Sequence, residues 1–249
     1  MKILISGLQG FMGKEVYKLA AAGVRGAEAA AGVDPMSDGN TPIPCAKSFS
    51  EADTDVDCII DFSHHSATKE LTDFAVKNNI PLVLATTGQT DEEKEMIGAA
   101  SKSIPLFFAA NYSLGIALLI ELAKKTAAMM PDAEIEIVET HHDRKLDAPS
   151  GTALAIANAI KEVRPQAVYN LGRSGNGKRT PEEIGIHAIR MGNVVGIHEV
   201  IVGTQNQTIT LKHEAHSRAL FAEGALAAAE FLIGKPAGLY DMTSLVNEN

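Results

Sequence analysis

The chain has 249 residues, 45% of them hydrophobic, which allows a sizeable buried core, and its length is typical of two domains. Its formal net charge of -9, with lysines and arginines scattered along the sequence, argues against a surface that binds nucleic acid. Cys45 and Cys58 are too few for a disulfide framework and lack the spacing of zinc ligands, so we expect reduced thiols.

The first apolar segment, MKILISG, is short and contains one basic residue. Signal peptides and membrane spans need longer apolar runs. We therefore expect a cytoplasmic protein with no membrane partner, whose partner is a small molecule rather than nucleic acid.

Short apolar segments alternate with helical patterns from Met1 to about Tyr112. The apolar segments are KILISG, AEAAAGVD, VDCIIDFS, PLVLATTG and PLFFAAN, and the helical ones are KEVYKLAAAG, TKELTDFAVKNN and DEEKEMIGAASK. This alternation predicts an α/β fold with a parallel sheet that helices cover on both faces. Ligands of such sheets bind at the carboxyl ends of the strands, so the loops there are candidate binding loops.

A glycine-rich turn, GLQGFMG, joins the first predicted strand to the first helix. Gly7, Gly10 and Gly13 there would permit a tight turn and close approach of backbone N–H groups to a pyrophosphate. Gln9 occupies the place of the second glycine in the common G-x-G-x-x-G pattern. The motif by itself therefore leaves an ordinary strand-to-helix turn as an alternative.

Asp34 ends the second apolar segment, about 20 residues beyond the glycine turn, where an acid can accept hydrogen bonds from a ribose hydroxyl. Pro35 follows it, and no arginine is near in sequence. A 2′-phosphate would be repelled by Asp34, so NADH is the favoured ligand and NADPH the alternative. If the glycine turn binds no cofactor, Asp34 is simply a solvated loop acid.

The second half of the chain has a different pattern of predicted elements. A helix is predicted from Leu114 to Met130, a strand from Ala133 to Glu139, and a helix from Gly151 to near Val163 that Ser150 caps. The segments IGIHAIRMG, GIHEVIVGT and QTITLKHEA predict further strands of a mixed or antiparallel sheet. This half is therefore predicted to be a second domain, of α+β type.

Two other segments complete the predicted second half. The Gly-rich and basic stretch NLGRSGNGKRTP, from Asn170 to Pro181, is typical of a mobile surface loop. A final helix is predicted from about Leu220 to Ile233.

The polar segment Glu139–Ala153, ETHHDRKLDAPSGTA, is the densest in chemistry. It follows AEIEIVE, which alternates apolar and acidic residues as a half-buried strand does. The N–H groups of Gly151 and Thr152 at the helix start could bind an anion together with His142 and Lys145, which suits a small substrate with carboxylates. Histidine and lysine can also act as proton donors.

Two alternatives compete with this interpretation of the polar segment. Adjacent histidines can suggest a metal site, but neighbours on an extended chain point in different directions, and no H-E-x-x-H pattern or cysteine partner is nearby. The other alternative is a solvated charged loop.

The polar segment resembles the signature of the dihydrodipicolinate reductase family, also called 4-hydroxy-tetrahydrodipicolinate reductases. GLQGFMG, IIDFS, ATTG, AANYSLG and GLYDM support the resemblance along nearly the whole chain. The resemblance implies a Rossmann-like dinucleotide-binding domain of residues 1–112 with 220–249, and an α+β domain of residues 113–219 that binds substrate and forms a homotetramer. No metal is implied.

The reaction implied by the resemblance is the NADH- or NADPH-dependent reduction of 4-hydroxy-tetrahydrodipicolinate to tetrahydrodipicolinate with loss of water, in diaminopimelate and lysine biosynthesis. The resemblance makes His141 and Lys145 catalytic proton carriers, and it makes His142, Gly151 and Thr152 the substrate-carboxylate site. The implied cofactor residues are Gly7, Leu8, Gln9, Gly10, Phe11, Met12, Asp34, Ala85, Thr86, Thr87, Ala110, Asn111, Tyr112 and Ser113.

Some residues depart from the family pattern. Phe11 stands where many members have an arginine, which together with Asp34 favours NADH, and Ala85 replaces a glycine. His64 and His65 either edge the cofactor site or form a solvated pair at a helix start, and the solvated pair is the expectation. The alternative functions are a reductase of another small acid and a dinucleotide sensor without catalysis.

Overall fold

A computed structural model describes residues 1–248 and divides the chain into two compact units. Unit 1 comprises Met1–Leu114 and Ala219–Asn249, and unit 2 comprises Gly115–Arg218. The first boundary lies two residues after the one that the resemblance implies, and the second lies one residue before it. Each unit contains its own sheet.

Both units are built from strands and helices, numbered here in chain order. The strands are β1 (Lys2–Ser6), β2 (Glu28–Val33), β3 (Cys45–Ala46), β4 (Cys58–Asp61), β5 (Leu82–Leu84), β6 (Pro105–Phe108), β7 (Glu134–His141), β8 (Val168–Leu171), β9 (Glu183–Arg190), β10 (Gly196–Gly203), β11 (Thr208–Ala215) and β12 (Gly238–Tyr240). The helices are α1 (Phe11–Ala21), α2 (Thr68–Asn78), α3 (Asp91–Ala100), α4 (Leu114–Met129), α5 (Gly151–Val163), α6 (Ala219–Leu232) and α7 (Met242–Asn247). Within residues 1–248, no helix has both the length and the apolar character needed to cross a membrane.

Unit 1 is built on a parallel sheet with the strand order β12-β6-β5-β4-β1-β2-β3. The chain runs outward from β1 to β2 and β3, then crosses back to place β4 on the other side of β1. Ligands bind at the carboxyl ends of the strands where the order reverses in this way, which here is between β1 and β4. The predicted α/β, Rossmann-like architecture is therefore confirmed.

The apolar segments of unit 1 explain why its central strands are buried. Ile3, Leu4 and Ile5 of β1 are fully buried, as are Ile59 and Ile60 of β4. Continuous apolar runs of this kind are expected where helices cover both faces of a parallel sheet. In the closing segment, α6 packs against α1 and the central strands, and β12 extends the sheet beside β6.

Unit 2 is a mixed sheet with the order β11-β10-β7-β9-β8, which is one of the two arrangements that the sequence predicted. β7, β9 and β8 are parallel to one another, whereas β10 is antiparallel to both β7 and β11. One face of the sheet forms a core with α4 and α5, in which Ile135, Ile137, Ile186 and Val200 pack with Ile156.

The structure corrects two predicted segments of unit 2. The predicted mobile loop Asn170–Pro181 begins inside β8, because Asn170 and Leu171 pair with β9. Two arginines of this stretch, Arg173 and Arg179, also form ion pairs with Glu136, so the stretch is anchored to the sheet. The predicted strand that ended at Glu139 continues through His141, so His141 lies on a strand and not in the loop.

Candidate active site

The glycine turn needs glycine for specific steric reasons. Gly7 has a φ of 80°, and a Cβ there would lie 2.7 Å from the carbonyl oxygen of Phe62. A Cβ on Gly13 would lie only 2.1 Å from the Gly7 carbonyl oxygen, so α1 approaches the turn as closely as a glycine allows. Gly10 precedes α1 and has no side chain to cap the first N–H groups of the helix. Those groups are therefore available to an anion.

Asp34 is buried and is bonded to the glycine turn. Its Oδ2 accepts a hydrogen bond of 2.9 Å from the backbone N–H of Gln9, and its Oδ1 accepts one of 2.9 Å from that of Met36. The alternative of a solvated loop acid therefore does not hold. Each carboxylate oxygen keeps a further lone pair, so Asp34 can still accept a hydroxyl.

A cavity of about 320 Å³, the first cavity, lies at the carboxyl ends of β1 and β2. Of the predicted cofactor residues, Gly7, Gly10 and Asp34 line it. The structure also brings Lys47 to this cavity, from beyond the edge strand β3. Lys47 is thus a cationic side chain at the first cavity that the sequence around Asp34 did not predict.

A second cavity, of about 390 Å³, lies at the ends of β4, β5 and β6. The predicted cofactor residues that line it are Met12, Ala85, Thr86, Thr87, Ala110, Asn111 and Tyr112. Phe62, Ser63 and His64 line both cavities, so the two adjoin at the end of β4. Together they form one elongated site at the point where the strand order reverses.

Asp61 organises the wall between these cavities. Its buried carboxylate accepts hydrogen bonds of 2.6 Å from the hydroxyls of Ser63 and Thr86. Burial raises the pKa of Asp61. Because both hydroxyls donate to Asp61, their remaining lone pairs can accept an N–H from a ligand such as a carboxamide.

Four predicted cofactor residues line neither cavity: Leu8, Gln9, Phe11 and Ser113. The Leu8 side chain is buried against Gly32, Gln9 contacts Asp34 through its backbone, and Phe11 is 62% exposed. The sequence identified the turn but could not distinguish the backbone groups that face a ligand from side chains that point away.

His64 and His65 both line the second cavity, as the first of the two alternatives has it. His64 is nevertheless exposed, and its ring accepts a hydrogen bond from the Ser66 backbone N–H at the start of a helical turn, as expected of a solvated pair at a helix start. His65 Nδ1 lies 3.0 Å from each carboxylate oxygen of Glu93, near the start of α3. The pairing of His65 with Glu93 has one signal in the sequence. Thr90 and Glu93 have the spacing of a capping box, which holds the Glu93 carboxylate at the start of α3.

The polar part of unit 2 begins where the core face of β7 ends. Side chains alternate along a strand, so Ile135, Ile137, Glu139 and His141 share one face. Glu139 is fully buried and His141 is 9% exposed. The buried face of β7 thus carries isoleucines up to Ile137 and polar residues from Glu139 onward. Glu139 was predicted only as the end of the strand, and not as a buried residue.

Glu139 is held by three groups. Arg190 donates to both carboxylate oxygens, at 2.7 and 2.8 Å, and the Ser150 backbone N–H donates at 3.0 Å. His141 Nδ1 lies 2.5 Å from the Oε2 of Glu139. Burial raises the pKa of Glu139, but the hydrogen bonds from Arg190, His141 and Ser150 outweigh it and leave the pKa below its ordinary value.

His198 lies opposite Glu139 on β10 and completes this group of side chains. Its Nε2 is 3.2 Å from the Ser150 hydroxyl, and its ring meets that of His141 edge to face at 5.1 Å. Burial, followed by the charge of His141, lowers the pKa of His198 to about 4. His198 is therefore neutral at physiological pH.

The loop after His141 carries the second predicted catalytic residue, Lys145, and the predicted substrate-binding residue His142. Lys145 Nζ forms an ion pair of 2.9 Å with Asp147, and this pair lowers the pKa of Asp147. His142 Nδ1 is buried without a hydrogen-bond partner in the described chain, and burial, then Arg144 and Arg218, lower the pKa of His142.

The start of α5 lies at the end of this loop. Ser150 caps the helix by accepting from Ala153 N at 3.2 Å, and Gly151 and Thr152 are its next residues. A helix N-terminus favours an anion. Unit 2 therefore carries a helix start that could bind an anion, a lysine and a buried histidine on consecutive elements of the chain. Among residues 1–248, no cluster of three or more histidine, cysteine or acidic side chains is arranged to hold a metal ion.

The sequence did not identify Arg190, His198 or Arg218 as parts of this site. Arg190 and His198 belong to strands predicted only from their apolar pattern, and register brings them to β7: His198 lies opposite Glu139, and Arg190 opposite His141. Pairing between distant strands is not visible in one sequence.

Comparisons with known proteins cover both units. Residues 1–112 match the family described as "Dihydrodipicolinate reductase, N-terminus", and residues 115–246 match "Dihydrodipicolinate reductase, C-terminus". The 4-hydroxy-tetrahydrodipicolinate reductase of Caldanaerobacter subterraneus subsp. tengcongensis is 47% identical, covering 100% of this chain and 99% of that protein. That of Clostridium novyi is 42% identical, covering 98% of each.

A solved structure resembles the chain as a whole. The dipicolinate-bound dihydrodipicolinate reductase from Paenisporosarcina sp. TG-14 has a TM-score of 0.81 and 26% sequence identity, and the alignment covers 97% of both chains.

Proposed function

Because the chain belongs to the dihydrodipicolinate reductase family, we propose that it reduces 4-hydroxy-tetrahydrodipicolinate to tetrahydrodipicolinate, with loss of water and with hydride from a nicotinamide cofactor. The observation that carries this proposal is the 47% identity, over the full length of the chain, to a protein of that name. The reaction belongs to diaminopimelate and lysine biosynthesis.

The residues of unit 1 fit a nicotinamide dinucleotide. Gly7 and Gly13 allow the turn and α1 to pack closely, because a Cβ at either residue would overlap backbone atoms, and the start of α1 offers its N–H groups to a pyrophosphate. Asp34 would accept a ribose hydroxyl in the first cavity. Ser63 and Thr86, oriented by Asp61, would accept the carboxamide N–H groups in the second cavity. The cofactor supplies the hydride.

The residues of unit 2 fit a small dicarboxylate. Gly151, Thr152 and His142 would bind a carboxylate at the start of α5. Hydride addition to the conjugated ring leaves negative charge on the ring nitrogen, and a cationic acid stabilises this charge and supplies a proton. We assign this proton to Lys145, which lies on the loop between β7 and α5 and pairs with Asp147 at 2.9 Å, and we assign His141 as the second proton carrier.

The function is tested by the choice of substrate. Purified protein should oxidise NADH when the condensation product of pyruvate and aspartate semialdehyde is supplied, and not with simple 2-oxo acids. Oxidation with 2-oxo acids alone would instead assign a reductase of another small acid. No oxidation at all, with NADH bound, would favour a sensor without catalysis.

We infer that NADH is the preferred cofactor, since Asp34 repels a 2′-phosphate, and that Lys47 permits some use of NADPH. Replacing Lys47 by alanine should raise the KM for NADPH about 10-fold and leave the KM for NADH unchanged, because only NADPH carries the additional phosphate. Initial rates with each cofactor measure this. Lys102→Ala, in another exposed part of unit 1, is the control. Equal effects on both cofactors would contradict the assignment of Lys47 to the 2′-phosphate.

We propose that unit 2 assembles the protein into a homotetramer. Its sheet is covered by α4 and α5 on one face, whereas side chains of the opposite face, among them Ile197, Glu199 and Ile201 of β10, remain partly exposed. An apolar and polar sheet face of this kind is suited to pairing with a second copy. Native mass spectrometry should give four times the chain mass of 26.4 kDa, and a monomeric mass at micromolar concentration would contradict the proposal.

A further inference from the structure

Glu139 has no partner other than donors. An ionised carboxylate only accepts hydrogen bonds, and Glu139 accepts from the Arg190 guanidinium and from the Ser150 backbone N–H. Arg190 binds it in the bidentate geometry that favours a carboxylate anion. Since Glu139 is fully buried, removing this negative charge would leave Arg190 without its counter-ion.

This arrangement determines which nitrogen of His141 carries a proton. The Nδ1 of His141 lies 2.5 Å from Glu139 Oε2. Because an ionised carboxylate can only accept a hydrogen bond, Nδ1 must be the donor. Nδ1 is therefore the protonated nitrogen in the neutral ring. Nε2 is then the nitrogen that can take up and release a proton.

The surroundings of Nε2 fit this role. A Cβ at residue 196 would lie 3.1 Å from His141 Nε2, closer than an ordinary contact, so a glycine there lets the ring keep this position. The neighbouring ring is that of His198, which is neutral and therefore does not compete as an acid near pH 7. The charged groups near His141 are Glu139 and Arg190, which pair with each other. The charge of Lys145, from the loop, contributes to the lowered pKa of His198.

We propose that Glu139, fixed by Arg190 and the start of α5, is a positioning residue that holds His141 with its Nδ1 protonated and its Nε2 free for proton exchange with the substrate. Only one part of this proposal, the exchange of a proton between Nε2 and the substrate, rests on the proposed function. The orientation and tautomer of His141 are properties of the free protein and can be tested without substrate.

Glu139 and His141 lie at the carboxyl end of β7. Glu139 and His141 lie two residues apart and so project to the same face of β7. Strand register brings Arg190 of β9 beside His141, and the Ser150 N–H at the start of α5 meets the remaining side of the carboxylate. Two strands and one helix thus fix a single imidazole ring.

The test is ¹⁵N NMR of histidine-labelled protein, with the wild type and the Glu139→Gln variant. In the wild type, the ring nitrogen shifts of His141 should show a protonated Nδ1 and an unprotonated Nε2. Glutamine has the same size but can donate its amide hydrogens to Nδ1, so the variant should shift His141 toward the Nε2-protonated tautomer. A wild-type His141 protonated on Nε2 would overturn the proposal, even if the variant did not fold.

The kinetic expectation is a loss of kcat on the order of 10²-fold in Glu139→Gln, with KM for the substrate and NADH affinity within about twofold of wild type. Equal loss of NADH affinity and kcat would indicate a merely structural role and would overturn the proposal. Glu136→Gln is the matched control, because Glu136 lies on the same strand and also pairs with a histidine, His187, at 2.8 Å. It should leave kcat and the His141 spectrum unchanged.

The proposed function and this inference fail in different ways. If His141→Ala retains full turnover while the wild-type spectrum shows the expected tautomer, the catalytic assignment of His141 is wrong and the positioning by Glu139 stands. If His141→Ala is inactive and the tautomer is the opposite one, the catalytic assignment stands and the positioning by Glu139 is wrong.

Discussion

Replacing Lys145 by alanine should lower kcat about 10²-fold or more while the affinity for NADH remains intact. The ammonium group of Lys145 is the proposed proton donor, and it pairs with Asp147 at 2.9 Å. Alanine removes both the proton and the positive charge that would stabilise the ring nitrogen during hydride transfer. Steady-state rates, together with NADH fluorescence titration, separate the loss of chemistry from a loss of cofactor binding.

The control for this variant is Lys161→Ala, which removes a lysine from the exposed side of α5 in the same unit. Its kcat should equal that of the wild type. Unchanged turnover in Lys145→Ala would remove Lys145 from the mechanism and leave His141 as the only proposed proton carrier. A fall in NADH affinity equal to the fall in kcat would show that the substitution disturbs more than the proton transfer.

Replacing Gly13 by alanine should abolish NADH binding and lower the free energy of unfolding of the protein by about 1–3 kcal/mol. The added Cβ would lie 2.1 Å from the carbonyl oxygen of Gly7, which is backbone and cannot rotate away. Either α1 or the turn must move, and both are proposed to hold the pyrophosphate. NADH titration and the midpoint of thermal unfolding measure the two effects.

Gly98→Ala provides the matched control, because Gly98 also lies within a helix and its added Cβ would meet nothing within 4 Å beyond the backbone of that helix. That change should leave NADH affinity unchanged and stabilise α3 by up to about 1 kcal/mol, since alanine is the better helix former. Wild-type affinity for NADH in Gly13→Ala would show that the glycine turn is not part of the cofactor site.

The central strands of unit 1 could be predicted from sequence because each of them is a continuous apolar run, and its longer helices could be predicted from apolar residues at helical spacing. The composition of the site around them could not. Lys47 reaches the first cavity only because the short strand β3 pairs beside β2, and two residues are too few for a pattern to reveal. The position of Lys47, the cation proposed to affect the choice between NADH and NADPH, is therefore determined by tertiary structure.

The polar segment shows the same limit in unit 2. The start of α5 was predicted at Gly151 with Ser150 as its cap, because both the capping residue and the helical period are local signals. Glu139 was not predicted as a buried residue, although the phase of the strand alternation reverses at Val138 and puts it beside Ile137 on the core face. Its partner Arg190 comes from a strand about 50 residues away in sequence, and such pairing has no local signal.

The insertion of unit 2 within unit 1 determines the order in which the chain can fold during synthesis. Residues 219–248 supply α6, which covers the central strands, and β12, which extends the sheet beside β6. Until the ribosome releases them, the nascent sheet exposes the apolar surface that α6 later covers and an unpaired edge. Unit 2 can be complete before this happens. The unit that begins at the N-terminus is therefore the last to finish folding.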